Sequence, residues 1–200
     1  DAILPMRGSG RCSDIEKTTV PMFLSEMDGM ETSHTVVLLA TNRPTMLDPA
    51  VVRAGRIDRH IKVPRPNAQA AKSIFKIHLN GTPLCNTDIN TVSTDVVEKL
   101  FSKNLPLYKL ADRSGNQHIF YLKDALNGAM IAGVVEQAAN SAIKRDLNEK
   151  KPRGISYGDF TQAVERVYSG QKDQNHAFDI EDYCDTNKLN KDSLTVSKLT

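Results

Sequence analysis

The sequence predicts an α/β fold: the distal part of a parallel sheet, followed by an α-helical subdomain with an inserted β-hairpin. Residues 35–40 form a continuous and partly β-branched apolar run, which is typical of a strand buried on both faces of a parallel sheet. From residue 92 onwards, apolar residues recur mainly at the spacing of an α-helix. Residues 107–110 and 118–122 break that spacing and flank a turn-forming segment, so they predict a β-hairpin.

The first eighty residues contain the elements of the predicted α/β part. Apolar spacing indicates a helix that ends at Asp28-Gly29 and that either kinks or begins near Pro21. A second short strand is expected at residues 61–63. Between the two strands, Asp48 followed by a proline favours the start of a short helix.

Helical spacing dominates the remainder. Asn67 is expected to cap a helix that ends before Gly81, and the polar chain after Gly170 is expected to be weakly ordered. Further helices are predicted over residues 92–105, 128–147 and 156–168. The predicted organisation is an α/β subdomain over 1–80, a helical subdomain over 81–170 with the hairpin near 107–122, and a tail over 171–200.

Composition excludes several classes of partner. Lys and Arg total 26 against 24 Asp and Glu, and a net charge of +2 gives no electrostatic case for nucleic acid or a membrane. The sequence contains neither an apolar run of the roughly 20 residues that cross a bilayer nor a signal peptide. The three cysteines are far apart, which favours reduced thiols in a cytoplasmic protein. The chain opens inside an apolar segment and without Met, so we expect a piece of a longer protein.

Three motifs carry a family resemblance. Residues 39–59 (LATNRPTMLDPAVVRAGRIDR) are similar to the second region of homology of AAA ATPases, and residues 23–30 (FLSEMDGM) resemble the inter-subunit signalling motif of that family. Residues 127–131 (NGAMI) look like the start of the lid helix that touches nucleotide. The hairpin inserted before residues 123–130 most resembles the proteasome-associated ATPases of the ARC/Mpa group.

The resemblance implies a ring-forming AAA+ ATPase, a homohexamer that uses ATP and Mg²⁺ to unfold protein substrates and deliver them to a proteasome core particle. By resemblance, Asn42 is sensor 1, and Arg53 and Arg56 are arginine fingers that enter the neighbouring subunit's active site. Guanidinium groups suit that task because they are planar and always charged. The alternatives are an Asn that caps the loop after a strand and a pair of solvated arginines.

The lid is expected to contact nucleotide through His78, Gly128 and Ala129. The alternative for His78 is a histidine that interacts with the carbonyls at a helix end, and for Gly128 a glycine that only allows close packing. Asp28 and Gly29 are expected to signal between subunits, with a plain helix-terminal turn as the alternative.

A basic loop that contains Arg7, Gly8 and Arg11 corresponds in position to a substrate-facing pore loop, although a solvated loop is equally consistent with its charge.

The sequence lacks a phosphate-binding loop motif. No Gly-x-x-x-x-Gly-Lys-Ser/Thr occurs, and by resemblance the acidic metal-and-water pair belongs before residue 1. ATP and Mg²⁺ are therefore expected in the full-length parent, whereas this chain alone is expected neither to bind ATP tightly nor to hydrolyse it. No metal ligands are predicted.

Three rival functions are weighed against this one. A membrane-linked AAA protease carries a His-Glu-x-x-His site, which the sequence lacks. A nucleic-acid remodeller is disfavoured by the near-neutral charge. A proteasome-independent remodeller stays open, because members of the ARC/Mpa group commonly end in a tail with a penultimate tyrosine, whereas this sequence ends Val196-Ser-Lys-Leu-Thr200.

Overall fold

The structure is a computed structural model that describes residues 14–29, 36–42, 44, 47–113 and 115–199. The chain divides into two compact units, residues 1–63 and residues 64–200. Every helix within the described ranges is too short or too polar to span a membrane.

Unit 1 is built on one long helix and a series of turns. Helix α1 (Asp14–Asp28) runs through Pro21 and ends where the sequence predicted. Its buried Val20 and Leu24 pack with Val51, which is fully buried in the turns that follow residue 47. Apolar residues separated by four positions lie on one side of a helix, so this contact fixes which face of α1 lies against the turns.

The predicted strands of unit 1 are not formed among the described residues. Residues 36–42 and 57–63 contain neither helix nor strand, and Val36 and Leu38 are 91% and 90% exposed. A doubly buried strand needs paired neighbours and cover on both faces, and the described residues of this unit supply neither. The short helix expected at Asp48 is replaced by turns, in which the Asp48 carboxylate accepts a hydrogen bond from the Ala50 amide at 2.8 Å.

Unit 2 contains six α-helices, one short 3₁₀ helix (Lys191–Ser193) and three strands within its described residues. The helices are α2 (Ala68–Leu79), α3 (Ile89–Leu100), α4 (Leu122–Ala125), α5 (Gly128–Glu149), α6 (Tyr157–Lys172) and α7 (Ala177–Asn187). The strands are β1 (Pro106–Ala111), β2 (Gln117–Tyr121) and β3 (Thr195–Lys198). The helical subdomain and its hairpin are therefore confirmed, and with them the mixed α/β class.

Several helices of unit 2 begin at side-chain caps, among them the cap predicted at Asn67. The Asn67 side chain accepts from the Ala70 amide at 2.8 Å, and the Asn127 side chain accepts from the Met130 amide at 2.9 Å. Ser156 caps α6 in the same way. These side chains satisfy amides that have no carbonyl partner inside the helix, and so they set where each helix starts.

The hairpin belongs to a three-stranded antiparallel sheet with the strand order β2-β1-β3. The third strand comes from the segment that was expected to be weakly ordered. The same segment contains α7, which buries Ile180 and Cys184 in the core of unit 2. Beyond β3, the Leu199 amide donates to the Leu107 carbonyl at 3.0 Å.

The boundary between the units lies at residues 63 and 64, earlier than the division near residue 80 expected from the sequence. Helix α2 is the reason, because it buries Ala71, Phe75 and Leu79 in the core of unit 2. The rings of Phe75 and Phe160 lie 5.5 Å apart between centroids.

Two loops of unit 2, one between α2 and α3 and the other between α5 and α6, are joined by backbone hydrogen bonds. The Ile155 amide donates to the Pro83 carbonyl and the Cys85 amide donates to the Ile155 carbonyl, both at 2.9 Å. Gly154 lies at this junction with φ +81°, and a Cβ atom there would stand 2.6 Å from the Pro83 oxygen. Only glycine fits this close approach of two backbones.

Candidate functional site

In unit 1, the structure joins two segments that the sequence analysis had identified separately. The guanidinium of Arg56 forms a bidentate ion pair with Asp28 at the end of α1, with Nε 2.8 Å from Oδ1 and Nη2 2.7 Å from Oδ2. The remaining Nη1 donates to the Ala50 carbonyl at 2.8 Å. The hydrogen bond from Arg56 lowers the pKa of Asp28, and the carboxylate in turn raises the pKa of Arg56. A predicted arginine finger is thus held by the predicted signalling motif.

Arg53 has a different environment. Its side chain is exposed and, within the described part of the chain, forms no hydrogen bond or ion pair. The turn between the two arginines is closed by the Arg56 amide donating to the Arg53 carbonyl at 3.2 Å. Gly55 occupies the left-handed region in this turn at φ +86°, and its amide donates to the Asp58 carboxylate at 2.8 Å. The two guanidinium groups therefore lie in different surroundings.

Asn42, the predicted sensor, lies in an exposed bend. No hydrogen bond joins it to either arginine among the described residues. Gly29 follows α1 and is exposed as well. The pore-loop residues Arg7, Gly8 and Arg11 lie outside the described residues.

In unit 2, the predicted nucleotide contacts lie at two helix ends. His78 is exposed in the last turn of α2. Gly128 and Ala129 open α5, and a Cβ atom at position 128 would meet nothing within 4 Å. Close packing therefore does not explain this glycine. The open amides at the N-terminus of a long helix form a favourable place for an anion.

A groove of about 460 Å³ lies beside the start of α5. Asn127 and Ala129 form one part of its wall, and Arg166 and Gln171 of α6 form another. Its wall is largely polar, with amide groups able to donate and accept hydrogen bonds. Of the three predicted nucleotide contacts in unit 2, Ala129 alone lines this groove, whereas Gly128 and His78 do not.

A partly buried polar network in unit 2 was not predicted from the sequence. Arg65 forms an ion pair with Asp179 of α7 and donates from Nη1 to the Ala125 carbonyl at 2.6 Å. The second oxygen of Asp179 lies 2.6 Å from Nδ1 of His176, whose ring is 2% exposed. The other ring nitrogen of His176 donates to the Gln171 carbonyl at 2.8 Å. The one signal in the sequence was a His-x-x-Asp pair at helical spacing within a polar stretch.

A second network connects α5 to α6. Arg145 bridges Asp146 at 3.0 Å and also pairs with Asp159. Burial opposes ionisation of Asp159, but the hydroxyl and amide of Ser156 and the Arg145 guanidinium together lower its pKa. Asp146 also accepts from the Arg153 and Gly154 amides, at 2.7 and 3.1 Å. This network is structural, because its polar atoms are directed at one another. Within the described residues, no group of three acidic, histidine or cysteine side chains is arranged to hold a metal ion.

Comparison with known proteins places the chain in a family. Residues 1–65 match the family described as "ATPase family associated with various cellular activities (AAA)", and residues 66–190 match "ARC, AAA+ ATPase lid domain". The chain therefore belongs to the AAA+ ATPases that carry an ARC lid domain. The two matches meet within two residues of the boundary between the two units.

Individual relatives agree with this assignment. The chain is 39% identical over 145 residues to a protein of Corynebacterium diphtheriae named "AAA ATPase forming ring-shaped complexes", covering 72% of this chain and 28% of the relative. It is 35% identical over 188 residues to a "Proteasome-associated ATPase" of Kribbella flavida, covering 86% of this chain and 32% of the relative. It is 39% identical over 167 residues to another of that name from Gordonia bronchialis, covering 76% and 28%. The chain thus spans about a third of the length of the curated relatives it matches.

Proposed function

We propose that the chain is part of a ring-forming, ATP-driven protein unfoldase, to which it supplies the arginine that acts on a neighbouring subunit, the sensor and the lid. The observation that carries this proposal is the bidentate Asp28–Arg56 pair. The pair connects the signalling motif to the arginine-finger turn inside one subunit. Such a connection is required if the nucleotide bound at one subunit interface is to affect the arginine that a subunit places at its next interface.

The chemistry supports the proposal. Phosphoryl transfer requires the γ-phosphate to be held, a water to be oriented and growing negative charge to be neutralised. An exposed guanidinium such as that of Arg53 can neutralise charge on a phosphate outside its own chain. The Asn42 amide is available to orient a water or a phosphate oxygen. ATP and Mg²⁺ are proposed to be held in the full-length parent by a phosphate-binding loop, a motif that this sequence does not contain.

The lid residues of unit 2 are proposed to contact nucleotide in their own right. Gly128 and Ala129 would let a nucleotide approach the free amides at the start of α5, and His78 would contact the base. The assembly would be a cytoplasmic homohexamer that acts on protein substrates. Delivery of those substrates to a proteasome core is proposed because several relatives are named proteasome-associated ATPases.

Mixed rings test the proposal. Two variants of the full-length parent are prepared: one carries Arg53→Ala, and the other lacks the lysine of its phosphate-binding loop. Rings made of either variant alone are expected to lose ATP hydrolysis. Rings that contain both are expected to recover activity, because an intact arginine then faces an intact phosphate-binding loop. Native mass spectrometry confirms that the rings are mixed. Mixed rings without recovered hydrolysis would refute action across the interface.

The second candidate is a ring-forming remodeller that works without a proteasome. Relatives named only "AAA ATPase forming ring-shaped complexes" favour it. Co-sedimentation of the full-length parent with a proteasome core separates the two: a stable complex supports delivery, and its absence at micromolar concentrations supports the remodeller.

A further inference from the structure

We propose that the two arginines of the finger segment have different tasks. Arg53 is the guanidinium that reaches the neighbouring subunit's nucleotide, and Arg56 is a positioning residue that fixes the Arg53 turn on α1 through Asp28. This inference deepens the proposed function and rests on it.

The hydrogen bonds of Arg56 are directed into its own chain. A guanidinium has five N–H donors, and all three nitrogens of Arg56 already donate, two to Asp28 and one to the Ala50 carbonyl. The side chain is 21% exposed. Three of its five N–H groups are thus used within its own chain, and moving the guanidinium outwards to a phosphate in another subunit would break a bidentate ion pair and leave a carbonyl without its donor.

Charge leads to the same assignment. Arg56 and Asp28 together carry no net charge, so at a phosphate some distance away their field is that of a dipole. Arg53 has no counter-ion within the described part of the chain and presents a full positive charge. Coulomb energy falls as the inverse of distance for a charge and faster for a dipole. Of the two, Arg53 therefore has the stronger attraction for a developing negative charge.

The Arg53 turn is fixed on both sides. Before Arg53, Val51 is fully buried against Val20 and Leu24 of α1. After Arg53, Arg56 is held to Asp28 at the end of the same helix. Val20, Leu24 and Asp28 are spaced by four residues and share one face of α1. A single helix face thus holds both ends of the turn, and a catalytic guanidinium held on a fixed turn pays less orientational entropy.

Asp28 is also placed to transmit a signal. Its side chain is 57% exposed, although it is bonded to Arg56. A neighbouring subunit that bound Asp28 would loosen Arg56 and, with it, the turn that carries Arg53. The signalling role predicted for Asp28 and the finger role predicted for Arg53 are then joined by Arg56.

A charge-swap experiment in the full-length parent ring tests this division of roles. Arg53→Ala is expected to lower kcat for ATP hydrolysis by about 1,000-fold or more, as removal of a finger does. Asp28→Arg and Arg56→Asp are each expected to lower kcat by about 10- to 100-fold through misplacement of the turn. The double variant Asp28→Arg/Arg56→Asp is expected to return kcat to within about 3-fold of wild type, because the pair re-forms in the opposite sense. Arg113→Ala, at an exposed arginine between β1 and β2 of unit 2, is the control and is expected to leave kcat unchanged.

The outcomes separate the two proposals. If the wild-type ring does not hydrolyse ATP, the proposed function itself fails. If the wild type is active but the double variant is as inactive as Arg53→Ala, then Arg56 contacts the phosphate and the division of roles is wrong.

A second measurement needs only this 200-residue chain. By NMR, proton exchange at Nε of Arg56 is expected to be slower than at Nε of Arg53, and Asp28→Asn is expected to remove most of that difference. Equal exchange at the two sites in the wild type would overturn the assignment.

Discussion

Replacing Gly154 by alanine should weaken unit 2 through a contact between two backbones. The residue has φ +81°, where a side chain costs about 1–2 kcal/mol per residue. Its new Cβ would stand 2.6 Å from the Pro83 oxygen and 2.8 Å from the Pro83 carbonyl carbon. Both atoms belong to the backbone and cannot turn aside as a flexible side chain can. The α2–α3 loop and the α5–α6 loop must therefore move apart.

The size of the effect follows from what that separation breaks. The Ile155 amide bonds to the same Pro83 oxygen, and the Cys85 amide bonds to Ile155. Weakening these two hydrogen bonds, each worth about 1 kcal/mol net, adds to the conformational cost. We expect Gly154→Ala to lower the free energy of unfolding of unit 2 by about 2–4 kcal/mol, on the scale of other large core effects.

Tyrosine fluorescence during urea unfolding measures this effect selectively. All five tyrosines lie between residues 108 and 183, so their emission reports on unit 2. Gly81→Ala is the matched control: φ is +78°, but a Cβ atom there would meet nothing within 4 Å, and a cost of only about 1 kcal/mol is expected. Gly133→Ala, inside α5 and equally open, should stabilise by up to about 1 kcal/mol. If Gly154→Ala costs no more than Gly81→Ala, the reasoning from backbone contact is wrong.

Two further substitutions test charges in unit 2, again by urea unfolding. Burial raises the pKa of Asp124 above its ordinary value of 3.8, so the folded state holds this proton more tightly and stability should fall as pH rises from about 3.8 through the folded pKa. Asp124→Asn keeps a side-chain oxygen that accepts from the Tyr121 amide. It should remove that slope and unfold at an equal or higher urea concentration at pH 7, and an unchanged slope would contradict the assignment. Asp179→Asn removes the carboxylate shared by Arg65 and His176 and should cost about 2 kcal/mol. Asp185→Asn, exposed on the same helix, should cost less than about 0.5 kcal/mol, and equal losses would show that the network is not stabilising.

Local chemistry made much of unit 2 predictable. The cap at Asn67 and the hairpin each depend on a few neighbouring residues, and each is found in the structure. The third strand depends instead on pairing between Lys109 and Ser197, which are distant in the sequence. Such pairing leaves little signal in a polar segment, because all four residues of β3 are exposed.

For the apolar run at residues 36–40, the sequence predicted a strand that is not formed among the described residues. Its composition is suited to a β-sheet, but composition carries no information about the neighbouring strands with which the segment would pair. Among the described residues it has none, and the side chains of Val36 and Leu38 are exposed. Burial is a property of the assembled layers and not of the segment.

The separation of the two arginines could have been anticipated from the helix that precedes them. The finger segment offers two residues of the same type, and their spacing alone cannot decide which one folds back. Helix α1 decides it, because Val20 and Leu24 fix the face that meets Val51, and Asp28 is the next residue on that face. Asp28 lies at the end of α1, on the same face as the apolar residues, and adjoins the second arginine. Arg56 therefore pairs with Asp28, and Arg53 stays exposed. Residues outside the motif therefore determine which of its two arginines is paired and which is exposed.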